Sequence, residues 1–550
     1  MKMKVCVGID FGSTNTVCAF YRNNAMELLR WDNGAVLLPS IVSYENELGV
    51  VNPPMTKLSQ RKYSIRNCKR LLGVPFTEDT ANRGNLLFNA KVIKSTDGFG
   101  CCFQMTLANK RIITKTPIDV AADIMKHILN QLVKQGIIQS AEDIESLAIG
   151  FPASYDYQQR QATIEAARKA GFPNAVLISE PIAAALTYCI SSHNPDRYFI
   201  VYDLGGGTFD CTLLHCNDQK YEVICTEGNS CLGGSDLLEA VVEYVVDCFA
   251  KYYGLDIDLS KCLPQQVYYQ CFRNECENGR ILLNYNEDVT IDLSYLFKLA
   301  PNAPKYTSEM FTLTRLTYEE LIRPYIDKTF VCLDKMLKEA NEICGFTEDQ
   351  ISDVVLVGGS TRIPYIQKRV FERFHCNTNQ TLNPDECVAK GACLYGMKQS
   401  EVDLSDQAIG SISILDHATF SYGVAVQGGR VFRLITKGDR IPLMKSNTFT
   451  TTEDNQQYIK TAVYIGEGTQ ISDCRFLHEL KFGPIEKRPK GVPRLSITYK
   501  IDIATLLTVI CEEIAENDSV QLVGKVEVKV GLSVCWNCTC DGFVRNYYSR

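Results

Sequence analysis

The segment Tyr198–Leu214, YFIVYDLGGGTFDCTLL, decides the fold. An apolar run ends at Asp203, three glycines and Thr208 follow, and a second apolar run begins with Asp210 near its start. An apolar run bounded by glycines predicts a buried strand that leads into a tight turn. Glycines let a backbone approach a phosphate closely, and an adjacent carboxylate can hold a hydrated Mg²⁺. Taken alone, the segment leaves a plain glycine-rich hairpin open as the alternative.

The N-terminal segment Val5–Tyr21, VCVGIDFGSTNTVCAFY, has the same layout. An apolar run contains Asp10, Gly12 and the pair Ser13-Thr14 follow, and a second apolar run comes next. Two units of this kind predict a duplicated fold that binds a nucleotide between its halves.

Two further features fit a ligand that carries phosphate. Gly358, Gly359 and Ser360 form a third glycine turn at the end of an apolar run. Glu180 lies between a predicted strand and the helix that Pro181 opens, and α/β folds bind ligands beyond the carboxyl ends of their strands. The alternative for Glu180 is a carboxylate that only stabilises the start of its helix through the helix dipole.

Length and composition exclude several classes of protein. At 550 residues the chain is too long for one core, and its 45% hydrophobic and 22% charged residues are ordinary for a globular protein. The net charge of −7 argues against nucleic acid or an anionic membrane as the main partner. No apolar run is long enough to span a bilayer or to form the core of a signal peptide, so we expect a cytoplasmic protein.

The 24 cysteines are scattered without the spacing of a disulfide framework, so we expect them to be reduced. Cys535, Cys538 and Cys540 are close enough in sequence to suggest zinc. A tetrahedral zinc site needs a fourth ligand, and no nearby histidine supplies one.

The arrangement of helices and strands changes along the chain. Up to residue 398 strands alternate with helices, which the sequence predicts at Thr116–Lys134, Gln159–Ala170, Leu237–Tyr253, Pro264–Asn278 and Thr317–Ala340, the last with a break or kink near Pro324. Residues 399–416 have no helical face and are predicted to be a linker. From 417 to 530 apolar residues alternate with polar ones, which is typical of an antiparallel sandwich. Residues 531–550 form a tail without helical periodicity.

With these motifs in order, the chain resembles the heat-shock protein 70 (DnaK-type) chaperones from Met3 to about Val530. The glycine turns alone would also fit the wider superfamily of actin, sugar kinases and these chaperones, but the later motifs narrow the match. The matching motifs are GIDFGSTN, KRLLG at Lys69–Gly73, FPASY, SEPIAAAL, DLGGGTFD, LGGSD, VGGSTRIP, NPDECVAKGA, TFTTTEDNQ and RPKGVPRLSITYKIDI.

The resemblance implies a fold and a function. The fold is an α/β actin-like ATPase domain, a duplicated ribonuclease H-like unit, over residues 1–398. It is followed by the linker 399–416, a β-sandwich at 417–530 that binds extended apolar peptides, and the tail 531–550 without the family's helical lid. The function is ATP-dependent binding of unfolded polypeptide clients, with a nucleotide-exchange factor as a further expected partner.

The resemblance also assigns site residues. Lys69 would neutralise charge near the γ-phosphate, and Glu180 would orient the attacking water with Asp203 and Thr208. Asp10 and Asp203 would position water-coordinated Mg²⁺ for ATP or ADP, and with Thr208 and Asp210 could also hold K⁺. The nucleotide would be bound by Gly12, Ser13, Thr14, Asn15, Gly205, Gly206, Gly207, Thr208, Glu277, Arg280, Ile281, Asn284, Gly358, Gly359, Ser360, Arg362 and Asp385.

Two more sets of residues follow from the resemblance. Pro152, Arg160 and Asp416 would relay the state of the nucleotide to the linker. Val424, Val426, Ile459 and Thr461 would line the peptide cleft, with Gln427 and Thr452 in the arch above it. For each cleft residue the alternative is a place in the ordinary core of the sandwich.

The chain departs from the family pattern in four places. Ile281 replaces the arginine that stacks on adenine, which predicts weaker ATP binding because isoleucine offers no planar cation. Ser411 and Ser413 stand in place of an acidic residue and a leucine of the family's linker, of which this chain retains the apolar and acidic character at Ile412, Ile414, Leu415 and Asp416. Val176 replaces an arginine that contacts J-domain partners, so coupling to such a partner is left open. Without a lid, peptide exchange should be fast.

Two other functions compete with an ATP-hydrolysing chaperone. One is a nucleotide-binding regulator or co-chaperone that hydrolyses little ATP, which Ile281, Val176 and the short C-terminal region favour. The other is a small-molecule kinase of the superfamily, against which the β-sandwich argues. The intact set Asp10, Lys69, Glu180, Asp203 and Thr208 favours the ATPase.

Overall fold

The structure is a computed structural model. It describes residues 4–44, 48–52, 64–78, 81, 88, 90–96, 98, 100–107, 109–172, 174–190, 196–217, 220–255, 257, 267–300, 308–376, 378–379, 382–400, 413–418, 420–426, 428–502, 507–515 and 519–527. The predicted tail 531–550, with its cluster of cysteines, lies outside the described residues.

The first part of the chain is a mixed α/β unit. Its strands are β1 Val5–Phe11, β2 Asn15–Arg22, β3 Ala25–Leu28, β4 Leu38–Pro39, β5 Val42–Ser43, β6 Val50–Val51, β7 Ser64–Ile65, β8 Lys91–Lys94, β9 Cys101–Thr106, β10 Ile112–Lys115, β11 Ile144–Phe151 and β12 Ala175–Ser179. Its helices are α1 Pro117–Lys134, α2 Tyr157–Ala170 and α3 Glu180–Ile190, with 3₁₀ turns at Cys68–Leu71 and Ala141–Asp143.

The second part repeats this mixture. Its strands are β13 Asp196–Leu204, β14 Phe209–Asn217, β15 Lys220–Asn229, β16 Asp288–Asp292, β17 Met310–Thr314, β18 Ile351–Val357 and β19 Thr378–Asn379. Its helices are α4 Gly234–Tyr253, α5 Val267–Leu282, α6 Ser294–Leu299, α7 Arg315–Cys344, α8 Pro364–Phe374 and α9 Cys387–Gln399, with 3₁₀ turns at Glu348–Gln350 and Gly359–Arg362.

The central sheets of the two parts have the same order and directions. The first runs β12-β11-β1-β2-β3, and the second begins β19-β18-β13-β14-β15. In both, three neighbouring strands are parallel and the hairpin that follows is antiparallel. The glycine turns predicted after Asp10 and Asp203 connect β1 to β2 and β13 to β14, so they occupy equivalent positions in the two sheets.

Local sequence signals explain where helix α1 begins. The Thr116 side chain accepts a hydrogen bond from the Asp119 backbone N–H, Asp119 accepts one from the Thr116 N–H, and Pro117 holds the first helical position. These contacts satisfy N–H groups that a helix start otherwise leaves without partners. The predicted helix Thr116–Lys134 is confirmed.

Two other helices differ from their predictions at specific points. Helix α5 continues to Leu282 rather than ending at Asn278. Gly279 lies inside it, and a Cβ there would make an ordinary van der Waals contact with Ile291 Cγ1, at 3.4 Å. Helix α7 is continuous through Pro324, where the sequence predicts a break or kink, and it shows no break. Tyr318 and Ile326, on either side of the proline, are buried in the core and hold both halves in one helix.

The last part of the described chain is made of strands. They are β20 Ser413–His417, β21 Tyr422–Val426, β22 Arg430–Ile435, β23 Arg440–Ile441, β24 Leu443–Phe449, β25 Ile459–Ile465, β26 Arg475–Phe482, β27 Arg494–Ile501, β28 Leu507–Ile514 and β29 Val520–Glu527, with a 3₁₀ turn at Ile471–Asp473. Two four-stranded antiparallel sheets, β22-β21-β25-β26 and β24-β27-β28-β29, share one apolar core. Alternating buried residues, such as Leu495, Ile497 and Tyr499, supply that core.

The end of the predicted linker is a strand. Residues 401–412 lie outside the described part, but β20 pairs in parallel with β15, with Tyr221 opposite Ile414. β23 then pairs with β20, which makes seven strands in order β19-β18-β13-β14-β15-β20-β23. The sequence did not predict β20 because three paired residues are too few to give a strand pattern of their own. The strand forms through its pairing with the edge of β15, which is distant in sequence.

Side chains also join the sandwich to the preceding part. His417 Nδ1 lies 2.8 Å from the Val223 carbonyl oxygen, and Arg440 Nη2 lies 2.7 Å from Glu222 Oε1. Tyr157, at the start of α2, is 4% exposed and belongs to the core cluster of the sandwich. The two parts therefore share both a sheet and buried apolar contacts.

Within the described part of the chain, no helix is both long and apolar enough to cross a membrane.

Candidate active site

A cavity of about 290 Å³ lies where the two glycine turns meet. Both turns line it, together with the third turn, the C-terminal end of α5, and the side chains of Lys69 and Glu180. All of the predicted nucleotide-binding residues, from Gly12 to Asp385, contribute to this lining. The sequence therefore identified residues that are dispersed along the chain but share one cavity.

The first two turns touch each other across the cavity wall. A Cβ at Gly206 would lie 1.9 Å from Thr14 Oγ1, and a Cβ at Gly207 would lie 2.6 Å from Ser13 Oγ. Any side chain at either glycine would force the turns apart. These glycines permit the close approach of two backbones, which is the condition for both turns to contact one ligand.

The third turn contacts the second. Gly358 has a positive φ of 81°, and a Cβ there would lie 2.5 Å from the Leu204 carbonyl oxygen. Ser360 Oγ donates a hydrogen bond to the Gly205 carbonyl oxygen, at 3.1 Å. Helix α4 is fixed to the same place by a hydrogen bond from the Gly234 N–H to Gly205 O, at 2.9 Å. The second turn is thus held from two sides.

Lys69 and Glu180 form a buried ion pair at one end of the cavity. Lys69 Nζ lies 2.7 Å from Glu180 Oε1, and the two residues are 4% and 6% exposed. Burial would lower the pKa of Lys69, but the charges of Glu180 and Asp10 outweigh it, so its pKa is raised. The lysine is therefore a cation at neutral pH, within reach of any anion that enters between the turns.

Carboxyl groups surround this pair. Burial and the charge of Glu180 raise the pKa of Asp10 to about 7 and that of Asp203 well above its usual value. Burial also raises the pKa of Asp210 to about 7. The carboxylates outnumber the single cation Lys69, and such a donor set attracts a hydrated divalent cation.

The structure places two of the three predicted cation-binding carboxylates at the cavity. Asp10 and Asp203 line it, whereas Asp210 lies behind the turn and accepts a hydrogen bond from the Ser154 backbone N–H, at 2.9 Å. Asp210 is the antiparallel neighbour of Asp203. Among the described residues, no three His, Cys, Asp or Glu side chains are grouped closely enough to hold a metal ion by themselves. A role of Asp10 and Asp203 through bound water is compatible with that geometry.

The raised pKa of Asp210 predicts how the cation-free protein responds to pH. Because the folded chain holds the Asp210 proton more tightly than the unfolded chain, the free energy of unfolding should fall as the pH rises from about 4 to 7. Asp210→Asn should reduce this slope, while Asp349→Asn, at an exposed position, should not. The measurement is the unfolding temperature across this pH range in the presence of a chelator. Equal slopes in the wild type and Asp210→Asn would contradict the prediction.

The opposite end of the cavity is built by α5 and the turn that follows it. Arg280 donates to Glu277 through two nitrogens, and Glu277 raises the pKa of Arg280 although burial opposes this. Asn284 Oδ1 is buried without a hydrogen-bond partner. Ile281, which replaces the family's stacking arginine, is 45% exposed and also lines the cavity.

Arg362 completes the wall on the side of the third turn. Its Nε and Nη2 donate to Asp385 Oδ2 at 3.1 and 2.6 Å, and Nη2 also donates to Asn383 Oδ1 at 2.8 Å. These bonds fix the plane of the guanidinium. A Cβ at Gly234 would lie 2.7 Å from Ser360 Oγ and 3.4 Å from Arg280 Nη2, so the two walls meet at Gly234.

A second cation connects the two halves of the chain. Arg70, next to Lys69, forms an ion pair with Asp236 in the first turn of α4, and both side chains are 7% exposed. Asp236 also accepts a hydrogen bond from the Gly233 N–H, at 2.8 Å. The motifs KRLLG and LGGSD each contain one partner, but neither motif carries a signal that predicts its contact with the other.

The predicted relay residues lie at the boundary with the sandwich. Arg160 is 3% exposed, with its guanidinium carbon 4.7 Å from the centre of the Phe151 ring. Burial raises the pKa of Asp416 and lowers that of Arg160, and the charge of each opposes the shift of the other. Pro152 is buried directly after β11, where its carbonyl oxygen accepts from the Tyr155 N–H.

The predicted peptide-cleft residues are only partly accessible. Val424 and Ile459 are 1% and 9% exposed and belong to the core cluster of the sandwich, so Val424 packs inside it rather than lining an open cleft. Val426 and Thr461 are half-buried beyond the point where β21 stops pairing with β25, and Thr452 is exposed. Gln427 lies outside the described residues. The position of Val424 is therefore that of an ordinary core residue of the sandwich.

Several residues line the cavity that the sequence analysis did not name. They are Val17, Leu37, Tyr285, Val357, Ile363, Pro384 and Val388. Most are apolar residues that reach the cavity because of how the turns pack. No local sequence pattern predicts that packing. Tyr285 could have been suspected, because it follows Asn284 directly.

A comparison with known protein families identifies the family of the chain. The model of the Hsp70 protein family matches residues 6–530, which is nearly the whole chain and includes every motif that lines the cavity. The chain therefore belongs to the Hsp70 family.

Proposed function

We propose that this protein is an ATP-dependent chaperone that hydrolyses ATP in the cavity between the glycine turns. Hsp70-family proteins are ATP-dependent chaperones that bind ATP or ADP with Mg²⁺ and act on unfolded polypeptides together with co-chaperones. For this chain the actin-like duplicated ATPase unit would span residues 1–398, and residues 417–530 would form the sandwich that binds the client.

The observation that carries the proposal is the convergence of two glycine turns on the Lys69–Glu180 pair. Each turn follows a strand of its own sheet, and the two touch at Gly206 and Thr14. The phosphate groups of a ligand that contacts both turns would lie at the end of the cavity where Lys69 lies. Phosphoryl transfer depends mainly on positioning and on neutralising charge, and these residues supply both.

Each catalytic residue has a defined task in this proposal. The Lys69 ammonium neutralises the charge that develops on the phosphates as the terminal bond breaks. The Glu180 carboxylate, 2.7 Å from it, orients the attacking water together with Asp203 and Thr208. Bound Mg²⁺, held through its water ligands by Asp10 and Asp203, would shield the phosphate oxygens. K⁺ is a further candidate near Thr208 and Asp210.

The base would lie at the α5 end of the cavity. Glu277 and Arg280 offer polar groups to the ribose hydroxyls, and the Asn284 side-chain amide also belongs to the cavity lining. The exocyclic amino group of adenine is a suitable donor, since amide side chains pair well with this edge of the base. The residues present therefore fit an adenine nucleotide.

Asn284 gives a test of this assignment. Wild-type protein should bind ADP on the order of tenfold more tightly than inosine diphosphate, whose base has a carbonyl oxygen in place of the amino group. Asn284→Leu should remove this preference, whereas Asn284→Asp, which keeps the acceptor, should retain it. Titration calorimetry with both nucleotides measures the ratio. A preference that survives in Asn284→Leu would show that another group recognises the base.

Client binding is assigned to the sandwich. Extended peptides bind through backbone hydrogen bonds and an apolar pocket, and Val426, Thr461 and Thr452 are the candidate residues that remain accessible. Release of a fluorescent apolar peptide on addition of ATP would support a chaperone. A nucleotide-exchange factor is the further proposed partner. A J-domain partner is left open, because Val176 stands where the family has the arginine that contacts such partners.

Single-turnover hydrolysis of ATP tests the enzymatic part of the proposal. The wild-type chain should convert bound ATP to ADP and phosphate much faster than Lys69→Ala and Thr208→Ala. A wild-type rate no higher than that of these variants would favour a nucleotide-binding regulator.

A further inference from the structure

Tyr285 is an exposed aromatic residue at the edge of the cavity. Its side chain is 74% exposed, yet it contributes to the cavity lining. It sits in the turn after α5, where its backbone N–H donates to the Leu282 carbonyl oxygen at 3.0 Å. The turn thus fixes the backbone of Tyr285 beside Asn284, at the end of the cavity assigned to the base.

On the wall formed by α5, Ile281 stands where the family carries its stacking arginine. Ile281 is aliphatic and 45% exposed, so it offers apolar contact but no π-face. On the other wall, hydrogen bonds to Asp385 and Asn383 fix the plane of the Arg362 guanidinium. One planar group therefore lies on the side of the third turn, and Tyr285 is the aromatic residue that the cavity lining contains on the side of α5.

We propose that Tyr285 is a base-binding residue whose ring stacks on the purine of the bound nucleotide, in place of the cation that Ile281 does not provide. This inference rests on the proposed function, because it takes the ligand of the cavity to be an adenine nucleotide. The purine would lie between the ring of Tyr285 and the wall that carries Arg362.

Physical chemistry favours this use of the residue. Every base presents a π-face, and stacking on an aromatic side chain contributes substantially to nucleotide affinity. Tyrosine orders only two side-chain dihedral angles when it is covered, so little conformational freedom is lost. The loss of affinity that Ile281 alone predicts is then offset in part, and this chain should bind ADP more tightly than its isoleucine suggests.

Equilibrium binding to a matched set of variants tests the proposal. Tyr285→Ala should raise the Kd of ADP on the order of tenfold, while Tyr285→Phe, which keeps the ring, should bind ADP like the wild type. Tyr252→Ala is the control, because Tyr252 is 82% exposed and does not line the cavity. Inorganic tripolyphosphate with Mg²⁺, which has no base, should bind equally to the wild type and Tyr285→Ala.

The outcomes separate this inference from the proposed function. If the wild type binds ADP and Tyr285→Ala binds it equally tightly, the stacking role is wrong and the proposed function stands. Equal weakening of ADP and tripolyphosphate would also overturn it, since the base would not be the group affected. A wild type that binds neither ADP nor ATP would overturn the proposed function and this inference together.

As an independent readout, base stacking should quench the fluorescence of an indole introduced by Tyr285→Trp, and unchanged fluorescence at saturating ADP would contradict it.

Discussion

Lys69→Ala should lower the rate of single-turnover ATP hydrolysis at least about a hundredfold, which is the usual effect of removing one group that stabilises a transition state. Lys69 is the one cation among the carboxyl groups Asp10, Glu180 and Asp203, and it is 4% exposed. Without it, the side chains of this cluster no longer supply a positive charge to the phosphates. Glu180 would also lose its ion-pair partner at 2.7 Å, so its position beside the attacking water would be less defined.

Two measurements separate catalysis from folding in this variant. Removing one partner of a buried ion pair is often strongly destabilising, so the unfolding temperature and ADP affinity should be recorded beside the rate. Lys134→Ala is the matched control, because Lys134 pairs with Asp32 on the surface and is 60% exposed. A folded Lys69→Ala variant that hydrolyses ATP at the wild-type rate would exclude the assigned role.

Ile414→Lys should detach β20 from β15 and release the sandwich from the preceding part of the chain. Ile414 is 8% exposed and packs in a core cluster with Tyr221 and Val223. A lysine there would place an ammonium group in apolar surroundings, which costs several kcal/mol unless the chain moves. Because only three residues of β20 pair with β15, separating the strands costs less than burying the charge.

Hydrogen exchange measures this separation directly. Backbone amides of β15 near Tyr221 and Val223 should exchange faster in Ile414→Lys than in the wild type. Met444→Lys is the control, because Met444 lies on β24 with 66% of its side chain exposed. Unchanged exchange along β15 would mean that the pairing does not depend on Ile414.

Much of the fold could be predicted where a short segment carries its own signal. Thr116 and Pro117 mark the start of α1, and the glycine turns follow strands that are buried on both faces. The predicted end of α5 was wrong, because the helix continues past Gly279 to Leu282. Helix α7 continues through Pro324, where buried residues on both sides of the proline hold it in the core.

The site was predictable to the extent that it is made of motifs. Lys69, Glu180 and the glycine turns all line the cavity, as the resemblance implied. The contact between Arg70 and Asp236 was not predictable, because it joins residues 166 positions apart. Asp210 was expected with the cation, but its distance from the cavity depends on the hairpin geometry behind Asp203. Burial of Val424 likewise depends on how the two sheets pack, since alternation does not show which inward residues remain accessible.

The seven-stranded sheet has a consequence for aggregation. β15 is ten residues long, and β20 covers only the part opposite Lys220–Glu222. A strand with unpaired backbone groups along one edge is a template for pairing with other chains. If β20 separated from β15, this unpaired edge would lengthen by the positions opposite Lys220–Glu222, and pairing with strands of other chains would be favoured. β20 therefore shortens this edge as well as joining the two parts of the chain.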